Sequence, residues 1–139
     1  MSLSEYERGY ISGIIDGEGS IFIYKRKTRQ YCLMLAVTNT NRELLEEIKF
    51  LIGGQIQTVK RRGNHKTCYI LQVHSNGLRR LLPNIRLLVK EEQRLLALYM
   101  LELLEAGMHR GVKHRSQEEE LEYGYVYQEM KKLNGTFKV

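Results

Sequence analysis

Cysteine, histidine and long apolar runs are all scarce in this 139-residue chain, and each scarcity excludes something. Its two cysteines, Cys32 and Cys68, fall in separate strand-like segments, so no disulfide scaffold or cysteine metal site is expected. The four histidines, His65, His74, His109 and His114, are scattered and offer no zinc spacing. No segment approaches the roughly 20 consecutive apolar residues of a membrane helix. The opening Met1-Ser2-Leu3-Ser4-Glu5 lacks the apolar core of a secretory signal. No membrane association is expected, and the chain is expected to stay inside the cell. An apolar content of 42% suits one soluble globular domain spanning residues 1–139.

Acid is also missing from two long stretches. Residues 19–40 contain Lys25, Arg26, Lys27 and Arg29 and no Asp or Glu. Residues 48–90 contain nine Lys or Arg and again no acid, whereas the chain beyond 90 has nine acids against seven bases. The net charge of +6 is therefore a property of the first two thirds, which suits a polyanion such as nucleic acid. An idle basic surface is the alternative.

Local signals divide the chain into elements. Ser4 and Glu7 form a capping box, so a helix begins near Glu5 and ends at Gly17 and Gly19. Residues 20–28 and 30–38 alternate as strands around a basic turn at 25–29. Ile21, Ile23, Leu33, Leu35 and Val37 point inward. Thr40 and Glu43 suggest a second capping box, opening a helix that Gly53-Gly54 stops. A second strand pair spans about 55–61 and 67–74. Ser75 opens a short helix ending at Pro83. A longer helix runs from about Glu91 to Ala106, stopped by Gly107, and a basic loop covers 107–115. Ser116 and Glu119 cap a last helix whose Leu121, Tyr125, Val126, Met130 and Leu133 are expected to pack. The order is α-β-β-α-β-β-α-α-α, an α+β architecture.

The first helix carries the most specific pattern. Gly9, Ser12, Gly13, Asp16 and Gly17 are spaced i, i+3, i+4, i+7 and i+8, one face of a helix. Glycine costs roughly 1 kcal/mol against alanine inside a helix. Such a bare stripe predicts a second backbone pressed close against it, with the acidic Glu18 at the tip.

The segment Ile11-Ser12-Gly13-Ile14-Ile15-Asp16-Gly17-Glu18-Gly19 resembles the nine-residue motif of the LAGLIDADG homing endonucleases. Ser12 stands for the usual alanine, and Glu18 for an acid that is more often aspartate. The resemblance implies an α-β-β-α-β-β-α core with a curved antiparallel sheet, buttressed by C-terminal helices. With one copy of the motif, it implies a homodimer joined through Gly9, Ser12, Gly13 and Asp16. It further implies metal-dependent hydrolysis of double-stranded DNA at a long, roughly palindromic target. Glu18 of each subunit, with Gly17, would hold Mg²⁺ or another divalent cation such as Mn²⁺ or Ca²⁺. Asn39 would order water near the scissile phosphate, or else be a turn residue. Lys90 would stabilise phosphate charge, or else be a solvated helix start. Asp16 is expected to be structural, and Arg42 matches another basic position only loosely.

Members of the family lay their sheet into the major groove, which admits strands. The outward positions here are Ser20, Phe22, Tyr24, Arg26, Thr28, Gln30, Met34, Ala36 and Thr38 in the first hairpin. The second hairpin supplies Gln55, Gln57, Val59, Arg61, Cys68, Ile70 and Gln72. Lys25, Lys27, Arg29, Lys60, Arg62 and Lys66 would grip phosphates. Otherwise the outward residues pack under the C-terminal helices. Two further functions stay open on the same fold: an intron RNA-binding splicing cofactor and a non-cleaving DNA-binding regulator. A plain protein-interaction module is the third alternative.

Overall fold

The computed structural model describes residues 2–60, 62–63, 66–107 and 112–135. The chain runs α1 (Glu5–Glu18), β1 (Gly19–Lys25), β2 (Tyr31–Asn39), α2 (Arg42–Ile52), β3 (Gln55–Val59), β4 (Cys68–His74), α3 (Ser75–Leu81), α4 (Glu91–Gly107) and α5 (Gln117–Leu133). Short 3-10 turns cover Leu82–Asn84 and Val112–His114. The element order is the expected one.

The strands form one antiparallel sheet in the order β1-β2-β4-β3. The two hairpins therefore join through their second strands. Alternation sends Ile21, Ile23, Leu33, Leu35, Val37, Leu71 and Val73 to one face, where all are buried. The helices cover that face. Ile11 and Ile15 of α1, Leu45, Ile48 and Ile52 of α2, Leu78 and Leu81 of α3, Ala97 and Met100 of α4, and Val126 and Met130 of α5 share its core. Each large aliphatic side chain taken out of water contributes about 1.5–3 kcal/mol before entropy is counted.

Capping sets the helix starts. Ser4 accepts from the Glu7 N–H while Glu7 accepts from the Ser4 N–H, the reciprocal pair expected. Ser116 and Glu119 do the same for α5. At α2 the cap is Asn41, not Thr40: the Asn41 Oδ1 accepts from the Leu44 N–H at 3.2 Å. Asparagine competes well with threonine for this position, and its backbone is extended here.

Two other expectations change. The first strand ends at Lys25 rather than near 28, so Thr28 sits in the turn, which the Arg26 N–H closes on the Gln30 carbonyl. On α5 the buried stripe is Tyr123, Val126 and Met130. Leu121 and Tyr125 lie on another face and are 69% and 61% exposed, so they do not pack as expected. Much of the basic loop 107–115 falls outside the described residues, which also exclude Arg61.

One turn constrains the second hairpin strongly. Gly53 and Gly54 follow α2 with φ of 83° and 104°. A Cβ on Gly54 would come 2.6 Å from the Gln72 carbonyl oxygen, whereas one on Gly63, also at positive φ, would meet nothing within 4 Å. Gly63→Ala is expected to cost about 1 kcal/mol from backbone strain alone, and Gly54→Ala about 2–3 kcal/mol. Urea unfolding of the two variants checks the order; equal losses would show that the Gly54 approach to β4 is not constraining.

Candidate functional site

The end of α1 holds two acids with different fates. Asp16 turns toward the segment before α4. Its Oδ2 accepts from the Leu88 N–H at 2.7 Å, and its Oδ1 from the Val89 and Lys90 N–H groups at 3.1 and 3.0 Å. Lys90 returns the contact, its Nζ donating to the Asp16 carbonyl oxygen at 2.5 Å. Partial burial alone would raise the Asp16 pKa, but the N–H groups of Leu88, Lys90 and Val89 outweigh it and hold the carboxyl below its ordinary value. The Asp16 carboxylate is spent on this loop although the residue belongs to the small-residue stripe.

Glu18 is left exposed at the helix tip. Its Oε2 accepts from the Asn39 Nδ2 at 2.5 Å, and the Asn39 Oδ1 accepts from the Asn41 N–H at 2.8 Å. The amide of Asn39 is thereby oriented at the junction of α1 with the sheet. Glu18, Asn39 and Lys90, three residues far apart in the chain, thus gather at one end of α1. The Lys90 ammonium is half-buried against α1, which is not a freely solvated helix start.

The loop carrying Lys90 is pinned at its other end by Glu91. That carboxylate accepts from the Leu87 N–H at 2.9 Å and from the Arg94 Nε and Nη2 at 2.6 and 2.7 Å. Arg94 also donates to the Leu82 carbonyl at 2.7 Å. The Arg94 hydrogen bonds, aided by the Leu87 N–H, outweigh burial and hold the Glu91 pKa at about 2.

The small-residue stripe is uncovered. A Cβ at Gly9, Gly13 or Gly17 would meet nothing within 4 Å. A groove of about 720 Å³ runs along it, between Gly9, Ser12 and Gly13 on one side and Ile85 and Leu88 on the other. Ser12 spends its hydroxyl on the Arg8 carbonyl, 2.7 Å away. Leu88 and Val89 beside the groove are 85% and 75% exposed, and Tyr6 stacks on Tyr10 along the same helix.

The outward face of the sheet brings the two hairpins together. Ser20 pairs with Ala36, Ala36 with Gln72, and Gln72 with Gln55, a row that crosses all four strands. Thr38, Ile70 and Gln57 form a parallel row, as do Phe22 and Met34. Tyr24 sits opposite Cys32 and tilts against Phe22. The guanidinium of Arg26 lies across Tyr24 and Cys32, whose hydrogen bonding and charge raise its pKa. The described helices pack on the inward face and these outward residues stay exposed or half-buried, so packing under the C-terminal helices does not account for them.

Some predicted contacts are displaced. Cys68 is only 3% exposed, at the end of β4 opposite Val59, and cannot present its sulfur to a base edge. The Arg29 guanidinium, with its side chain 60% exposed, pairs with Glu120 of α5 at 3.1 Å. Lys25 lies over the ring of Tyr31 at 5.2 Å. Arg42 pairs with Glu46 and lies over the ring of Tyr69. Lys27, Gln30, Lys60, Arg62 and Lys66 are exposed. His74 was not among the expected outward residues, yet it is exposed on that face, opposite Met34. Continuing the alternation from Cys68, Ile70 and Gln72 finds it.

Among the described residues no group of three His, Cys, Asp or Glu side chains could hold a metal ion. One copy of the chain brings only the Glu18 carboxylate to the tip, since Asp16 is engaged.

The two clamps on the Lys90 loop are separable by experiment. Asp16→Ala orphans three backbone N–H groups and is expected to cost at least about 2 kcal/mol, with Asp16→Asn intermediate. Glu91→Gln is expected to cost about 2 kcal/mol near neutral pH. The Glu91 pKa is depressed on folding, so its contribution is complete above about pH 4.5 and is lost as pH falls toward 2. Melting wild type and Glu91→Gln across that range should show the gap closing at the acid end; a constant gap would contradict the assignment.

The profile of the LAGLIDADG-like domain matches residues 5–86. No curated protein matches the chain in sequence. Solved structures do match its fold. An archaeal intron-encoded homing endonuclease, I-Vdi141I, complexed with DNA, superposes with a TM-score of 0.73 at 24% identity over 93% of this chain and 84% of that one. The homing endonuclease I-TnaI gives 0.66 at 17% identity over 99% and 100%. I-SmaMI, bound to an uncleaved DNA target with calcium ions, gives 0.69 at 23% identity, with 98% of this chain covering 49% of that one. By its motif, its sheet and this match over more than half its length, the chain belongs to the LAGLIDADG family.

Proposed function

We propose that the protein is a homodimeric endonuclease that cuts double-stranded DNA at a long, roughly palindromic site with the help of a divalent cation. The observation that carries this reading is the pairing of an uncovered glycine stripe with a lone carboxylate at its tip. Gly9, Gly13 and Gly17 together cost the isolated helix about 2–3 kcal/mol against alanine, and nothing within the described chain fills the space they leave. A second copy of α1 lying there offsets that cost by close backbone packing and also covers Leu88 and Val89. A twofold axis then brings Glu18 of both subunits to one place.

Two exposed carboxylates, with the backbone carbonyl of Gly17, suit a hard divalent cation such as Mg²⁺, which needs few protein ligands and keeps its waters. Bound there, such a cation supplies charge neutralisation of the phosphate and activation of water. Asn39, oriented by Glu18 and Asn41, accepts or donates to a water placed for attack on phosphorus. Lys90, held on the end of α1, adds positive charge where the phosphate becomes more negative.

The outward face reads the target. Gln55, Gln57 and Gln72 suit adenine edges and Arg26 suits guanine, while Met34, Ala36 and Ile70 suit thymine methyl groups. Lys27, Lys60, Arg62 and Lys66 neutralise phosphates around that face. I-Vdi141I and I-CvuI, both seen with DNA, carry the same fold.

With Mg²⁺, wild type should cleave a plasmid library that contains its target. Glu18→Gln should bind the cleaved sequence unchanged and cut at least about 100-fold more slowly. Gly13→Leu should sediment as a monomer and lose both binding and cleavage. Full cleavage by Glu18→Gln, or a dimer that persists in Gly13→Leu, would overturn the proposal. Tight binding of folded intron RNA without cleavage of any DNA would assign the splicing-cofactor function instead.

A further inference from the structure

Sequence charge places nine acids after residue 90, on the helices that lie on the opposite side of the sheet from the outward face. Those helices do not bury all their apolar residues. On α4 the buried positions are Gln93, Ala97, Met100 and Leu101. Leu95 and Tyr99, opposite Ala97 around the helix, are 52% and 41% exposed. On α5, Tyr125 is 61% exposed. Leu95, Tyr99 and Tyr125 line one shallow groove of about 390 Å³ between the two helices, and Glu92 and Glu129 stand at its rim. Glu122 is adjacent, its carboxylate accepting from the Tyr99 hydroxyl. Lys132 pairs with Glu129 there at 3.6 Å and is itself 64% exposed. No described residue covers the groove.

We propose that this groove docks a basic amphipathic helix of a partner protein, with its apolar face on Leu95, Tyr99 and Tyr125 and its Lys or Arg side chains on Glu92 and Glu129. The groove lies between two helices, and its aromatic floor of Tyr99 and Tyr125 is of the kind that anchors helix-in-groove complexes. Charge decides among occupants. Nucleic acid is repelled by the acidic rim. A second copy of the chain related by a twofold axis would set Glu92 and Glu129 against their own equivalents, a like-charge contact costing several kcal/mol. A basic helix meets neither obstacle. The groove is on the far side from the sheet's outward face, so occupancy does not compete with DNA.

The probe is a fluorescein-labelled 18-residue peptide with leucine at i, i+3, i+4 and i+7 spacing and lysine elsewhere. Its control has the same composition in an order that gives no apolar face. Anisotropy titration of the full chain should give saturable one-to-one binding of the amphipathic peptide, at least tenfold tighter than the control. The double variant Leu95→Ser with Tyr125→Ser should lose tenfold or more. Glu92→Lys with Glu129→Lys should lose a similar factor. Leu95, Tyr125 and Glu92 are exposed and Glu129 is half-buried, and circular dichroism melts establish that both variants fold. Equal binding of the two peptides would reduce the effect to bulk charge and overturn the proposal. So would undiminished binding by either variant. A concentration-dependent mass increase, abolished by Leu95→Ser in light scattering, would give the groove to a second copy and overturn it likewise.

Discussion

The carboxylate of Asp16 is the contact on which the site depends. It accepts three consecutive backbone N–H groups from residues 72 to 74 positions further along the chain. A charged acceptor fits this use because a loop that turns sharply before a helix leaves its N–H groups without helical partners. Two consequences follow from the one interaction. Lys90 is delivered to the end of α1, where its ammonium meets the Asp16 carbonyl. Glu18, two residues on, is left exposed at the helix tip, accepting only from the Asn39 side chain among the described contacts. The two acids of the motif therefore differ: one builds the loop, and the other stays exposed at the helix tip.

Local chemistry made much of this legible from residues alone. The capping boxes at Ser4 and Ser116 involve partners three positions apart, so sequence contains the whole interaction. Strand alternation likewise sorted inward from outward residues in β1, β2 and β4. The failures have the same origin in reverse. Thr40 and Asn41 are both competent caps, and only the path of the chain out of β2 chooses between them. Tyr123, Val126 and Met130 lie on the buried stripe of α5, but Leu121 and Tyr125 are apolar too, so periodicity could not say which stripe met the core. The Glu120 partner of Arg29 is 91 residues away and has no sequence signal at all.

The sheet order adds information that no single hairpin contains. Because β2 pairs with β4, the rows Ser20–Ala36–Gln72–Gln55 and Thr38–Ile70–Gln57 run across both hairpins. A surface reading several consecutive base pairs needs this continuity, since one hairpin alone presents only two strands. On the inward side Ile21, Ile23, Leu33, Leu35, Val37, Leu71 and Val73 are apolar and buried, so register is set from beneath. A slip by one residue would bury Gln72 and expose Leu71, which the core does not allow. Packing on one face thus fixes the chemistry displayed on the other.

Charge segregation completes the argument. The sheet segments and their turns contain no acid, whereas α4 and α5 begin with Glu91, Glu92, Glu118, Glu119 and Glu120. Part of that acid serves the fold, through the helix dipoles and through pairs with Arg29, Arg94 and Arg115. The rest turns the far side of the protein against polyanions. A chain with a net charge of +6 spread evenly would meet DNA in any orientation. Segregated as it is here, the positive field lies on the acid-free sheet segments and their turns, and it favours approach of a polyanion by the outward face of the sheet.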